Sequence, residues 1–242
     1  MSTGVIAAIR AHLTQIGTGP WAGAMLASAT LLVTLAAVFA GAEFSGSDAQ
    51  AARPLDDAFG LMLCLYLASM LGCLIVGTQL RSGELRAELL AMPRRGLAAG
   101  SGLLASALTM LAAGIPLFAL DRIIRLWTAP GQPHGASELW RLGVGFLCGI
   151  IVMALVGMAL TMILRHPMPA MAIVLFFPLL LEPVIERASE AAARRLPPGL
   201  VDVLLAGAEA DPADWWPALA GLIIWGAGSA VAYILLIQRH DT

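Results

Sequence analysis

Lysine is absent: all 14 cationic side chains of the chain are arginine. A Walker A loop needs a lysine to reach the phosphates of a nucleotide, so this chain carries no P-loop ATPase of its own. Charge of either sign is scarce, at 12% of the 242 residues, where an average soluble domain has roughly a quarter. So few charges could not cover a soluble fold in which 59% of the residues are hydrophobic. A mean hydropathy of +0.84 makes the bilayer the natural solvent. Cysteine is rare as well. Cys64, Cys73 and Cys148 all fall in apolar runs and read as small core residues, not as disulfides or metal ligands.

The familiar catalytic patterns are missing too. There is no H-E-x-x-H, no G-x-S-x-G, no C-x-x-C and no acidic pair within an apolar run. Ionisable residues inside spans are functional by default. None falls inside the spans assigned below, which argues against ion-coupled transport and intramembrane proteolysis. His166, beside Arg165, reads as a solvated loop histidine. No catalytic residue, metal site, cofactor or nucleic-acid surface is expected of this chain.

What is present is a series of charge-free runs, at residues 17–42, 58–80, 96–120, 142–164 and 215–238. Each is long enough for a spanning helix, which needs about 20 mostly apolar residues. A sixth run, 167–181, would rise only about 22 Å at ~1.5 Å per residue, against a hydrocarbon core of ~30 Å. It needs Pro183, Val184 and Ile185 to finish a crossing. The expected fold is therefore an all-α integral membrane protein, one domain over residues 1–242, with six transmembrane helices at 21–40, 59–79, 97–120, 142–164, 168–185 and 216–237. The first run starts too late and is too long for a signal peptide. Before it, Val5, Ile6, Ile9, Leu13 and Ile16 share one helical face, the pattern of an amphipathic helix lying in the interface.

Six spans put both termini on one side, and we place them in the cytoplasm of a bacterial cell, with the chain crossing the inner membrane several times. The arginines divide evenly between the two sides. Those assigned inside sit in short loops next to helix ends, where the positive-inside rule has force. Trp127, Trp140, Trp215 and Trp216 flank the outer ends of spans, whereas Trp225 falls mid-span and reads as packing.

Outside, residues 182–195 read as an amphipathic helix, Pro197-Pro198-Gly199 as its break, and 200–206 as an apolar run too short to span. That is the pattern of a re-entrant hairpin between spans 5 and 6, and Glu182, Glu186, Leu200 and Leu204 mark it as an external lid. Irregular backbone at membrane depth is tolerated only against protein or a water-filled cavity. Within the spans, Ser28, Thr30 and Thr34, with Ser69 and Thr109, are either a mildly polar lining of a pathway or hydroxyls bonded back to their own helices. The glycine pairs Gly19/Gly23, Gly96/Gly100 and Gly145/Gly149 read as close helix packing.

Inside, residues 79–95 form the one long loop. Leu85, Leu89 and Met92 fall on one helical face, Arg81, Glu84 and Glu88 on another, and Pro93 ends the helix. The apolar stripe needs burial against lipid or a partner protein. The run Arg81-x-Gly83-x-Leu85, then Leu89, Pro93 and Arg94-Arg95-Gly96, resembles the loop between spans 2 and 3 of ABC-2 type permeases. Gln79 stands where that family has an acid, and Glu84 where it has threonine. The likeness extends over essentially the whole chain, from the amphipathic start to the hairpin after span 5.

The resemblance implies the membrane subunit of an ATP-driven exporter. It implies a second permease subunit, identical or not, and two copies of a cytoplasmic ABC ATPase that bind the ATP and Mg. It makes residues 79–95 the coupling helix, with Arg81, Glu84, Leu85, Arg86, Glu88, Leu89 and Met92 seated on the ATPase. The substrate would be hydrophobic or amphiphilic: a drug, a peptide or a lipid-like molecule. A self-immunity permease expelling a membrane-active peptide shares the same architecture. A membrane accessory protein that moves nothing is the alternative from another class.

Overall fold

The computed structural model describes residues 14, 27, 30, 31, 34, 55–82, 95–128, 135–206 and 212–239. The first expected span, the N-terminal amphipathic helix and residues 83–94 of the expected coupling helix lie wholly or almost wholly outside them. Among the described residues the fold is all helical, with no strand. In chain order the helices are α1 (Leu55–Ser82), α2 (Arg95–Thr128), α3 (Ala136–Leu164) and α4 (Pro167–Phe176). A π-helical turn (Phe177–Leu181) follows, then α5 (Glu182–Ala188), α6 (Glu190–Ala193), α7 (Pro197–Leu205) and α8 (Pro212–Gln238).

Four of these are long and apolar enough to cross a membrane, over Gly60–Ser82, Ala99–Trp127, Ser137–Leu164 and Ala213–Gln238. They coincide with four of the expected spans and are those of a membrane-embedded protein. A helix satisfies its own backbone hydrogen bonds, which hydrocarbon cannot do for it. Apolar side chains all round leave such runs no other stable form.

The centre of the bundle is the parallel pair α1 and α3, in which Leu65 meets Gly149, Ser69 meets Gly157 and Cys73 meets Thr161. Lipid tails are as apolar as leucine, so helices in a membrane gain by close van der Waals approach. Gly72 stands against the Ala154 carbonyl and Gly157 against the Ser69 carbonyl, each so close that no Cβ could be accommodated. Polar atoms reinforce the same crossing. The Cys73 thiol donates to the Gly157 carbonyl at 3.4 Å, and the Thr161 hydroxyl donates to the Cys73 carbonyl at 3.5 Å. Around this pair, α2 packs its Gly114 against Leu147 and Ile150, α8 its Gly226 against Val152, and α4 its Pro167 against Gly77. By contrast, a Cβ on Gly96 or Gly100 would meet nothing within 4 Å among the described residues.

The turn from α3 into α4 explains His166. Arg165 ends α3 in the left-handed region (φ 54°, ψ 17°), a conformation in which only glycine avoids strain. His166 is exposed, as expected, and its Nδ1 accepts from the Met168 N–H at 3.3 Å, capping α4.

Three further expectations are corrected. The outer loop expected from Asp121 is helix: α2 runs on to Thr128, carrying Asp121, Arg122 and Arg125. Residues 182–195 are not one amphipathic helix; Ser189, with extended backbone (φ −164°, ψ 102°), divides them into α5 and α6. Its hydroxyl accepts from the Ala192 N–H and caps α6. The fifth span is not a regular helix. Pro178 and Pro183 bring no N–H, and the helix widens so that the Glu182 N–H reaches back to the Phe177 carbonyl.

Candidate functional site

The hairpin between the fifth helical run and α8 gathers most of the unusual chemistry. Its returning arm, α7, starts where Leu196 is extended (φ −76°, ψ 154°) and Pro197 and Pro198 take the first two helical positions. There their missing N–H groups cost nothing. The prolines thus open a helix as well as closing the previous one. Gly199 is required, because a Cβ there would lie 2.5 Å from the Ala193 carbonyl oxygen.

Leu200, Val201, Leu204 and Leu205 are all buried. Leu204 lies over Gly145 of α3, Val201 over Gly149, and Leu200 over Gly221 of α8. Three glycines therefore make the slot that seats α7. Of the residues marked for a lid, Leu200 and Leu204 are this buried anchor, Glu186 is exposed and Glu182 is half-buried.

The tip of the hairpin is held by one directed bond. The indole N–H of Trp225 donates to the Arg195 carbonyl at 2.9 Å, across 30 residues of sequence. Trp225 thus holds a loop, where packing alone was expected. Glu190 and Arg194 form an ion pair at 2.6 Å beside the tip.

Across the hairpin, Asp202 of α7 lies within electrostatic reach of Glu186 of α5, and Glu182 within reach of both. Burial, and secondarily the Glu186 charge, push the Asp202 carboxyl up to about 6. The Tyr66 hydroxyl of α1 is buried with no hydrogen-bond partner among the described residues.

A second polar group was missed in the sequence. Asp121 on α2 is fully buried and accepts from Arg122 (Nε, 2.9 Å) and Arg125 (Nε, 3.1 Å). The Arg122 guanidinium also lies 5.4 Å from the centroid of the Phe118 ring. The expected end of the third span at residue 120 is therefore too early: Asp121 lies inside the apolar helix Ala99–Trp127, close to its C-terminal end and not in mid-span. The signal was the spacing of Asp121, Arg122 and Arg125 followed by apolar Leu126 and Trp127. Such a group pairs its charges locally and need not end a helix. Nearby in the fold, Trp140, Trp215 and Trp216 pack edge to face, with centroids 5.6 Å and 4.9 Å apart.

The remaining marked residues are scattered. Thr34 donates to the Thr30 carbonyl at 2.8 Å and Thr109 to the Ala105 carbonyl at 2.9 Å, so these hydroxyls bond back to their own helices. Ser69 is buried at the α1–α3 crossing against Gly157. Ser28 lies outside the described residues. Of the coupling set, Arg81 is exposed in the last turn of α1. Glu84, Leu85, Arg86, Glu88, Leu89 and Met92 lie outside the described residues. Among the described residues no three His, Cys, Asp or Glu side chains are placed to hold a metal ion.

A scan against models of known protein families finds no match, and a search of curated proteins finds none either.

Proposed function

We propose that this chain is the membrane-spanning subunit of an ABC-2 type exporter, moving a hydrophobic or amphiphilic substrate out of the cell at the expense of ATP hydrolysed by a partner. The observation that carries the reading is the run Arg81-x-Gly83-x-Leu85, Leu89 and Pro93, which begins in the last turn of α1. In this reading a coupling motif at the end of a membrane-crossing helix stands where a stroke from a cytoplasmic ATPase would enter the bundle.

A second support is the hairpin. A segment anchored by α7 between α3 and α8, and bearing charged residues on α5 and α6, is a suitable cap for the exit of a pathway. The chain's lack of lysine fits a division of labour in which the ATP and Mg are bound elsewhere. In this reading two such subunits pair in the bacterial inner membrane, with both termini in the cytoplasm.

The test is assembly. The wild-type chain, isolated from its native membranes, should bring with it an ATPase activity. Arg81→Glu and Leu85→Asp should each lose it, because reversing a buried charge pair costs about 2–5 kcal/mol, at least a ~30-fold loss of affinity. Adsorption of the loop to lipid would leave assembly intact, since each arginine at an anionic leaflet is worth only about 1 kcal/mol. Retention of the ATPase by both variants refutes the coupling role.

A further inference from the structure

The tip of the hairpin lies at half depth in the bundle, and two helices give that depth independently. Trp225 stands close to midway between Asp214 and Arg239, the charges that bracket the apolar run of α8. Its N–H holds the Arg195 carbonyl. On α3, Leu204 lies at Gly145 and Val201 at Gly149. Following α7 back from Val201 to Pro197 therefore descends to the level of Met153, midway between Arg141 and Arg165.

Charged side chains are exposed at that level. In the Glu190–Arg194 pair the side chains are 67% and 72% exposed, and Arg195 is exposed beside them. Glu186 and Arg187 continue the exposed charge along α5. Hydrocarbon cannot solvate an ion, and ionisable groups at membrane depth face a bundle interior or water. Snorkelling does not rescue them, because an arginine stem reaches ~6 Å and the membrane surface is ~15 Å away. The opposite, lipid-type surface at the same depth is plain in Ile224, next to Trp225, which is 71% exposed.

We infer that the α5–α6 face of the hairpin borders a water-filled vestibule, open at the N-terminal ends of α3 and α8 and reaching the middle of the bilayer. The apolar barrier across the protein is then confined to the half of the membrane toward Arg165 and Arg239. The vestibule follows from the membrane crossing of the long helices and the placement of the tip; it does not depend on the export reading.

The test compares three single cysteines, Arg195→Cys, Ile224→Cys and Ser137→Cys, on a chain whose own three cysteines are replaced by alanine. Each is reconstituted in vesicles and treated with a charged maleimide that does not cross membranes. Ser137, exposed at the start of α3, reports that the reagent is on the hairpin's side. Arg195→Cys should react within about tenfold of Ser137→Cys, and Ile224→Cys about a hundredfold more slowly, because thiol reactivity follows access to water. Arg195→Cys reacting as slowly as Ile224→Cys overturns the vestibule, whether lipid or a second subunit covers the tip. Hydrogen exchange on the wild-type chain in lipid discs decides the matter without substitutions. Amides of residues 190–196 should exchange within minutes, and protection equal to that of the middle of α3 overturns the inference.

Discussion

Replacing Gly157 by alanine should separate the two central helices. The added Cβ would meet the Ser69 carbonyl oxygen, a backbone atom that cannot swing aside as a flexible side chain can. Relief requires α1 and α3 to move apart along their whole crossing. That would also stretch the Cys73 thiol bond to the Gly157 carbonyl and the Gly72–Ala154 approach. Gly100→Ala on α2 is the matched control, since its Cβ would meet nothing within 4 Å among the described residues.

Both substitutions gain the same helix propensity, up to ~1 kcal/mol, so their difference isolates the clash. Overpacking costs about 1–3 kcal/mol. At about 2–4 °C per kcal/mol for a chain of this size, the two variants should differ in Tm by about 2–12 °C. Thermal melting followed by fluorescence-detected size exclusion, in one detergent, measures it. If Gly157→Ala and Gly100→Ala melt together, the close approach of α1 and α3 is wrong.

Other expectations follow from the polar groups. Asp121→Asn leaves Arg122 and Arg125 without their shared carboxylate, and losing one partner of a buried ion pair costs about 3–5 kcal/mol; the same melting assay should show it as the most damaging of these variants. Asp202 has its carboxyl raised from 3.8 to about 6. The folded chain holds that proton more tightly than the unfolded one, so the stabilisation is complete below about pH 4 and is lost as pH rises through about 6, by up to ~3 kcal/mol. Asp202→Asn should therefore flatten the melting profile over that window and melt above wild type at about pH 7.5; an unchanged profile would show that the carboxyl is not held between α5 and α7. Trp225→Phe removes one hydrogen bond, worth about 0.5–1.5 kcal/mol, and should speed hydrogen exchange at residues 196–200 while leaving α1 unchanged.

The long helices were legible because charge-free runs of that length have one stable form in a membrane. Where a run ends was less legible. A rule that stops at the first charge cut α2 at Leu120. It missed that Arg122 and Arg125 share the Asp121 carboxylate while Ile123, Ile124, Leu126 and Trp127 continue the apolar surface. The break at Ser189 had a local signal, a serine followed by Glu190 and small residues, the start of a capped helix. The π turn likewise had Pro178 and Pro183 at five-residue spacing.

Other features depend on neighbours distant in sequence, and no local pattern holds them. Gly145 and Gly149 receive α7, while Gly100, equally spaced from Gly96, meets nothing among the described residues. Trp225 finds its acceptor at Arg195 only because α7 turns back along α3. Re-entrance itself was visible in the Pro-Pro-Gly break and the short apolar run after it. The depth of the tip was not, because it is set by which glycines the returning helix meets.

The measurement that bears most directly on the export reading is ATP-driven movement of an amphiphilic fluorescent dye in proteoliposomes holding this chain together with the ATPase isolated with it. Dye should move when ATP is supplied to the ATPase side, and movement should stop with Leu85→Asp while the same lipid and ATPase are present. Dye flux that is independent of ATP, or ATP-driven flux that Leu85→Asp leaves unchanged, would contradict it.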